Sequence, residues 1–289
     1  MDKSLQNIVI CPKCGSNFDR RHLQYWICDS CRLKIPIQNG KPIFTSMPAE
    51  IIPSEKLNRS SDSGSRWRQA NWKFVEKQVN ALNPAALILD IGAGRGDFSA
   101  IFSDRKYISL EVYPYPEIDL VCDLNQCVPF RENTFDMVTL LNVCEHVPDP
   151  KPLLAVVFRL LKPGGLAVIA IPFLLKIHQA PVDYARYTHY ALEKIGAEIG
   201  FELSVFEGFY DPAGLIGEVT RYYRFWELPR LNRFQRIIAR LFLSKIFLDT
   251  FFLEQLSGRG HLENPHQTDY PAPTGYQIVF KKPQDRIRS

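Results

Sequence analysis

No long hydrophobic run interrupts this chain of 289 residues. The longest apolar stretch, Leu166 to Leu175, is too short to span a bilayer. Met1 to Ile10 has neither the charged start nor the apolar core of a secretory signal. The chain therefore reads as cytoplasmic, with peripheral contact to the inner face of the cytoplasmic membrane still compatible. Strong charge of one sign is missing too. The formal net charge is +4, with 46% hydrophobic and 23% charged residues, the balance of a soluble globular protein. What charge there is lies unevenly: residues 1–75 carry 12 basic and 6 acidic groups, residues 76–200 carry 11 and 15, and residues 201–289 carry 12 and 10. The length allows one large domain and something small.

Cysteine is concentrated rather than abundant. Four of the seven form Cys11-Pro-Lys-Cys14 and Cys28-Asp-Ser-Cys31, two Cys-x-x-Cys pairs separated by 13 residues. Two such knuckles supply four thiolates at the spacing of a closed structural zinc site, and Gly15 allows the tight turn after the first. A disulfide framework is the alternative, and a cytosolic setting opposes it. Cys122, Cys127 and Cys144 fall in or beside strands and read as small core or pocket-wall residues. Beyond the second knuckle, Asn39-Gly40 marks a hairpin turn between Leu33–Gln38 and Lys41–Phe44.

The most informative stretch is Ile88-Leu-Asp90-Ile-Gly92-Ala93-Gly94-Arg-Gly96-Asp-Phe-Ser99. An apolar run ends in an acid and a glycine loop, a strand-to-helix turn suited to cradling a nucleotide. The spacing is Gly-x-Gly-x-Gly, so the Gly-x-Gly-x-x-Gly fingerprint that grips a pyrophosphate is lacking. Asp90 repels phosphate and suits a cationic amino group. A ligand with an adenosine and an amino acid but no phosphate fits, and S-adenosylmethionine is such a ligand.

At these residues the chain resembles the class I S-adenosylmethionine-dependent methyltransferases. The following segments extend the likeness. Tyr107–Glu111 ends a second strand in a carboxylate, placed to accept hydrogen bonds from ribose hydroxyls. Asp119–Cys122 closes on Asp123-Leu124, where the family holds the adenine amino group. Phe135–Asn142 gives a fourth strand followed by Val143-Cys144-Glu145-His146, and Leu160–Ile169 gives a helix end, a Gly-Gly turn and a fifth strand. The resemblance implies an α/β fold: a seven-stranded Rossmann-like sheet with helices on both faces, its last strand, near Thr274–Lys282, antiparallel. It also implies cofactor contacts from Asp90, Gly92, Ala93, Gly94, Gly96, Glu111, Asp123, Leu124 and Asn142. The cysteine segment resembles the small zinc-ribbon proteins that partner RNA- and protein-modifying methyltransferases. That likeness implies structural zinc on Cys11, Cys14, Cys28 and Cys31, in a structural or docking module with no catalytic role.

Pro172 to Thr188 resembles a segment of the type-11 branch of these enzymes, in which a His…Asp-Tyr-x-Arg-Tyr-Thr stretch sits over the active-site mouth. Here it supplies His178, Asp183, Tyr184 and Arg186, which with His146 are the catalytic candidates. Asn142 and Glu145 also fall near the donor methyl. The plainer alternatives are that Asp183 and Arg186 pair three residues apart, that the tyrosines pack beneath a lid, and that His146 is structural. Thr188 is a good N-cap for a helix over Tyr190–Ile199.

An insertion of roughly 65 residues, about 209–273, precedes the last strand, far above the usual loop length. From Arg221 to Lys245 it holds Arg221, Arg224, Arg230, Arg233, Arg236, Arg240 and Lys245 against the single acid Glu227. Phe234, Ile237, Ile238, Leu241 and Leu248 recur at helical spacing with the arginines on the other side. Residues 221–253 therefore read as a helical lid over the acceptor, as a basic amphipathic surface for anionic membrane, or both. The organisation expected is a zinc ribbon at 1–45, a polar linker at 46–65 and a methyltransferase domain at 66–289. The acceptor expected is a small molecule, lipid-linked or glycan-linked. An RNA methyltransferase docking through its basic ribbon is the alternative, lowered by the lack of an Asn/Asp-Pro-Pro-aromatic signature after the fourth strand and of a cysteine pair for carbon-5 pyrimidine chemistry. A non-catalytic S-adenosylmethionine-binding scaffold is the third reading, opposed by the intact glycine and acid set. The oligomeric state is not encoded in any motif found.

Overall fold

The computed structural model describes residues 8–45, 64–223, 227–257 and 273–284. Residues 46–63 of the expected 46–65 linker, Arg224, and residues 258–272 of the insertion lie outside the described residues, as does the side chain of Arg221.

The N-terminal segment forms a four-stranded antiparallel sheet of β1 (Phe18–Asp19), β2 (Tyr25–Cys28), β3 (Lys34–Gln38) and β4 (Lys41–Pro42), in that order. Asn39 and Gly40 both adopt positive φ, 49° and 75°, so the expected Asn-Gly turn has the mirror-image geometry that matches strand twist. Helix α1 (Arg66–Asn80) follows, capped by Ser65, whose hydroxyl accepts from the Arg68 amide at 3.1 Å.

The large sheet comprises β5 (Leu87–Ile91), β6 (Lys106–Glu111), β7 (Leu120–Val121), β8 (Phe135–Leu141), β9 (Leu161–Pro172), β10 (Glu202–Phe209) and β11 (Gly275–Lys281). Its order is β10-β11-β9-β8-β5-β6-β7. Strands β5 to β9 pair in parallel, and β11 runs antiparallel between β9 and β10, as expected for the last strand. Every residue of β5 is buried, because a parallel strand covered on both faces has no solvent side. Ile88 joins one apolar layer with Trp67, Phe74, Val75 and Val79 of α1, while Leu89 joins the other. That second layer contains residues of α2 (Pro150–Leu160) and Leu192 of α3 (His189–Ile199). It also contains Phe18, Trp26 and Ile35 of the N-terminal sheet, and Val9 upstream of that sheet.

The glycine loop does not open a long helix as the motif predicted. A single 3-10 turn, Ser99–Phe102, is all that forms before β6 begins at Lys106. The connection is too short to cover the sheet, and α1, arriving from upstream, covers that face instead. Strand β9 takes in the Gly164-Gly165 pair expected as a turn before it and runs on to Pro172. Between β10 and β11 lie α4 (Pro212–Tyr222), capped by Asp211, a short turn at Leu228–Arg230, and α5 (Arg233–Ser257). Helix α5 packs chiefly on α4 and on that turn. Among the described residues no helix is long and apolar enough to cross a membrane.

Candidate functional site

The site grows from the C-terminal ends of β5, β6 and β8. After Ile91 the backbone amides of Gly92 and Ala93 both donate to the Leu110 carbonyl, at 2.9 and 3.1 Å, which ties the loop to β6. Two glycines carry the geometry. Gly92 sits at φ +71° with Val143 filling the space beside it: a β-carbon there would lie 2.5 Å from a Val143 methyl. Gly94, at φ +54°, faces open space, and that opening is the cradle. Its amide donates to Glu111 Oε2 at 2.9 Å, while Glu111 Oε1 accepts from the Val112 amide at 2.7 Å. Glu111 is nearly buried, and loss of hydration raises its carboxyl pKa against the pull of those amides.

Asp90 is placed differently from a residue that meets a ligand directly. It is 2% exposed, and both oxygens are engaged: Thr139 Oγ1 donates to Oδ1 at 2.6 Å and the Tyr107 hydroxyl to Oδ2 at 2.9 Å. Burial still pushes its pKa up to about 6. Asp123 lies at the end of β7, where Oδ1 accepts from the Asn125 amide and Oδ2 from Gln126 Nε2. Leu124 beside it is buried. Asn142, at φ +56°, ends β8 and accepts from Trp67 Nε1 at 2.8 Å, so α1 orients its amide. Ala93 shares a small buried cluster with Ile118, Val121 and Ile43, the last from just beyond β4 of the N-terminal sheet.

A second group assembles where the segment after β9 folds over the end of β8. The amide of Tyr184 donates to the Glu145 carbonyl at 2.8 Å, pinning the two together. Asp183 and Arg186 form a two-pronged ion pair at 2.6 and 2.9 Å, and Asp183 Oδ2 also accepts from the His178 amide at 2.7 Å. The Arg186 guanidinium holds the Asp183 carboxyl well below the usual carboxylate range. The expected pairing of these two residues is thus present, and it shapes the loop. His146 Nδ1 lies 2.6 Å from the Val182 carbonyl, and the His146 and His178 rings meet edge to face at 4.8 Å. Both Nε2 atoms approach Glu145 Oε1, at 3.7 and 3.8 Å. The Glu145 carboxylate raises the pKa of His178, against the opposing effect of burial. The Tyr184 side chain is exposed and joins none of this.

The four N-terminal sulfurs lie within 4.8 Å of one another, with Cys11–Cys31 at 3.5 Å and Cys14–Cys28 at 3.4 Å. All four cysteines are free, and those separations are far beyond a disulfide bond of about 2.05 Å. Tetrahedral zinc with bonds of about 2.3 Å would set its sulfurs about 3.8 Å apart, so the donor set fits that ion after a small expansion. Burial pushes the Cys11 thiol up to about 12, whereas hydrogen bonds from Ser16 hold Cys14 at about 6. The partners of Asp90 and Asn142, namely Thr139, Tyr107 and Trp67, were not legible as site residues. Only strand register and a long-range helix contact bring them there.

Residues 65–247 match a family described as a methyltransferase domain. A demethylmenaquinone methyltransferase of Renibacterium salmoninarum is 33% identical over 116 residues, covering 36% of this chain and 47% of that one. A ubiquinone/menaquinone biosynthesis C-methyltransferase of Desulfotalea psychrophila is 30% identical over 158 residues, 48% of this chain and 61% of that one. The chain thus spans about half the length of the curated relatives it matches. Among solved structures, phosphoethanolamine N-methyltransferase 2 of Haemonchus contortus, bound to S-adenosyl-L-methionine, is 17% identical with a TM-score of 0.45, covering 75% of this chain and 53% of that one.

Proposed function

The chain belongs to the methyltransferase-domain family as an S-adenosylmethionine-dependent enzyme, and from that premise we propose that its acceptor is a small, lipid-linked molecule. The observation that carries the lipid assignment is α5. Phe234 is 72% exposed and Leu241 67%, and Ile237, Ile238, Phe242, Leu248 and Phe252 lie open on the same side. Arg233, Arg236 and Arg240 occupy the adjoining side, and Lys245, inside the apolar stripe, is neutralised by Asp249 at 2.5 Å. An exposed apolar stripe beside cations complements an anionic bilayer surface. The exposure of this stripe supports the membrane-facing reading of residues 221–253 and is compatible with a lid over the acceptor. Among the described residues no specific contact favours RNA.

The bound cofactor supplies an electrophilic methyl on a sulfonium. In this reading the open side of Gly94 receives the amino-acid end, with Ala93 and Gly96 completing the turn and Asp90 fixing the loop's end and its potential from inside the sheet. Glu111, oriented by the Gly94 and Val112 amides, would accept from the ribose hydroxyls, and Asp123 with Leu124 would hold the adenine. Asn142, set by Trp67, lines the donor side. In-line transfer needs the acceptor atom about 3 Å from the methyl carbon, so most of the work is positioning. His146 and His178 turn Nε2 toward the buried Glu145 beneath the proposed acceptor position, Asp183 and Arg186 hold that loop in place, and Tyr184 stands exposed beside it. Cys11, Cys14, Cys28 and Cys31 hold zinc that completes the ribbon's fold.

Labelled cofactor incubated with the enzyme and a cell extract, then partitioned between organic and aqueous phases, tests the acceptor class. Label in the organic phase is expected. Label confined to the aqueous phase, with no co-sedimentation of the protein with anionic vesicles at low salt, would overturn the lipid assignment.

A further inference from the structure

We propose that Glu145, His146 and His178 form a three-ligand site for a divalent transition-metal ion of the zinc class, with open positions toward the acceptor. The role assigned to the ion rests on the methyl-transfer reading above; the binding of the ion does not. Glu145 is a carboxylate in an unusual position. It is 0% exposed, yet neither of its oxygens has a hydrogen-bond partner among the described residues. Buried carboxylates are otherwise paired, hydrogen-bonded or bound to metal. The nearby guanidinium of Arg186 does not serve it, being committed to both oxygens of Asp183.

What Glu145 faces instead is two imidazole nitrogens. His146 Nδ1 lies against the Val182 carbonyl at 2.6 Å, so it must carry the proton, and the lone pair falls on Nε2. That Nε2 is itself buried and has no hydrogen-bond partner among the described residues. His178 Nδ1 lies 3.2 Å from Asp183 Oδ2 and 3.3 Å from the Lys176 carbonyl, with an Arg186 nitrogen at 3.5 Å. The two oxygens place the proton on Nδ1 and again leave Nε2 as the donor atom. Each histidine thus points one nitrogen inward and has the other held by an oxygen. That outer arrangement is what orients metal-bound histidines.

One ligand atom from each of Glu145, His146 and His178 lies within 4.8 Å of the other two, and both Nε2 atoms face Glu145 Oε1. Bonds of about 2.0–2.1 Å to a tetrahedral ion would set ligand atoms about 3.3 Å apart, which the observed 3.7 and 3.8 Å reach by small side-chain rotations. Two imidazoles and one carboxylate suit zinc, ferrous iron or cobalt rather than magnesium or a soft monovalent ion. The contrast with the ribbon is chemical: four sulfurs close a site, whereas three ligands leave room for a substrate atom. The position serves the reaction, because Val143, two residues before Glu145, fills the space beside Gly92 of the cofactor loop. An ion there would hold an acceptor oxygen in place beside the donor.

Metal content decides this. The full chain is stripped with chelator, reloaded with zinc, desalted and assayed for zinc per chain, with S-adenosylmethionine binding measured on the same samples. Glu145→Gln and His178→Ala are each expected to hold one zinc fewer than the wild type and still bind the cofactor. In the cobalt-loaded protein, the wild type minus His178→Ala difference spectrum should lack sulfur-to-cobalt charge transfer. Equal zinc in wild type and both variants overturns the site. Loss of cofactor binding in the wild type overturns the methyl-transfer reading instead, whatever the zinc count.

Discussion

Two additions flank the shared sheet, and they relate to it in opposite ways. The N-terminal ribbon is built into the core. Val9 bridges to Phe130, Ile43 bridges to Val121 of the edge strand β7, and the Phe44 amide donates to the Val121 carbonyl at 2.8 Å. Lys41 reaches the Ile118 carbonyl, and Thr45 bonds Gln126, which in turn bonds Asp123. The helices α4 and α5 pack chiefly on each other and hold a row of large apolar side chains in solvent. A strand edge left open invites pairing with other chains, and here the ribbon closes it. The difference teaches that the ribbon is part of the core beside the glycine loop, whereas α5 leaves its apolar face in solvent.

Disrupting the ribbon's four-sulfur cluster should have the largest effect. Cys28 is wholly buried in the main core cluster, and Ile43 packs behind the glycine loop, so Cys28→Ser should destabilise the whole chain and weaken cofactor binding at least about tenfold. Urea unfolding and calorimetric titration measure both; unchanged cofactor affinity would show that the ribbon is merely attached. Next in size is a matched pair of truncations. Trp26→Ala, in the ribbon core, should cost about 3–5 kcal/mol in a single unfolding transition, whereas Leu241→Ala on α5 should stay within about 0.5 kcal/mol. A separate early transition in Trp26→Ala would break the comparison.

A smaller effect should appear in pH dependence. Asp90 titrates near 6 in the fold against about 3.9 when unfolded, so the native state holds the extra proton between those values. Stability should therefore fall as pH rises from about 4 to 6, by at most about 3 kcal/mol from this group. Asp90→Asn should remove that slope in urea midpoints measured across the range, and an identical slope in variant and wild type would contradict it. The smallest stability effect belongs to Leu241→Glu: unfolding unchanged within about 0.5 kcal/mol, with binding to anionic vesicles lost.

Much of the sheet was legible because strands buried on both faces announce themselves as apolar runs closed by glycine or acid. The Asn39-Gly40 turn was legible for similar local reasons, whereas the antiparallel last strand followed from the family resemblance. Other features depend on contacts that sequence order hides. Tyr107 and Thr139 reach Asp90 only because β6 and β8 flank β5 in a particular register. The helix predicted after the glycine loop fails because α1, upstream, already covers that face. Glu145 was visible as a residue near the donor, but its lack of partners is a property of the folded loop alone.

The glycine loop is the proposed cofactor cradle, with the ribbon packed behind it and α5 packed chiefly on α4. Calorimetric titration of S-adenosylmethionine into wild type, Gly94→Asp and Leu241→Glu tests this directly. Asp at position 94 would fill the open cradle and set a second negative charge beside Glu111. The prediction is saturable binding to wild type and Leu241→Glu with the same affinity, and a loss of at least about a hundredfold in Gly94→Asp. Equal binding by all three proteins, or none by the wild type, would contradict it.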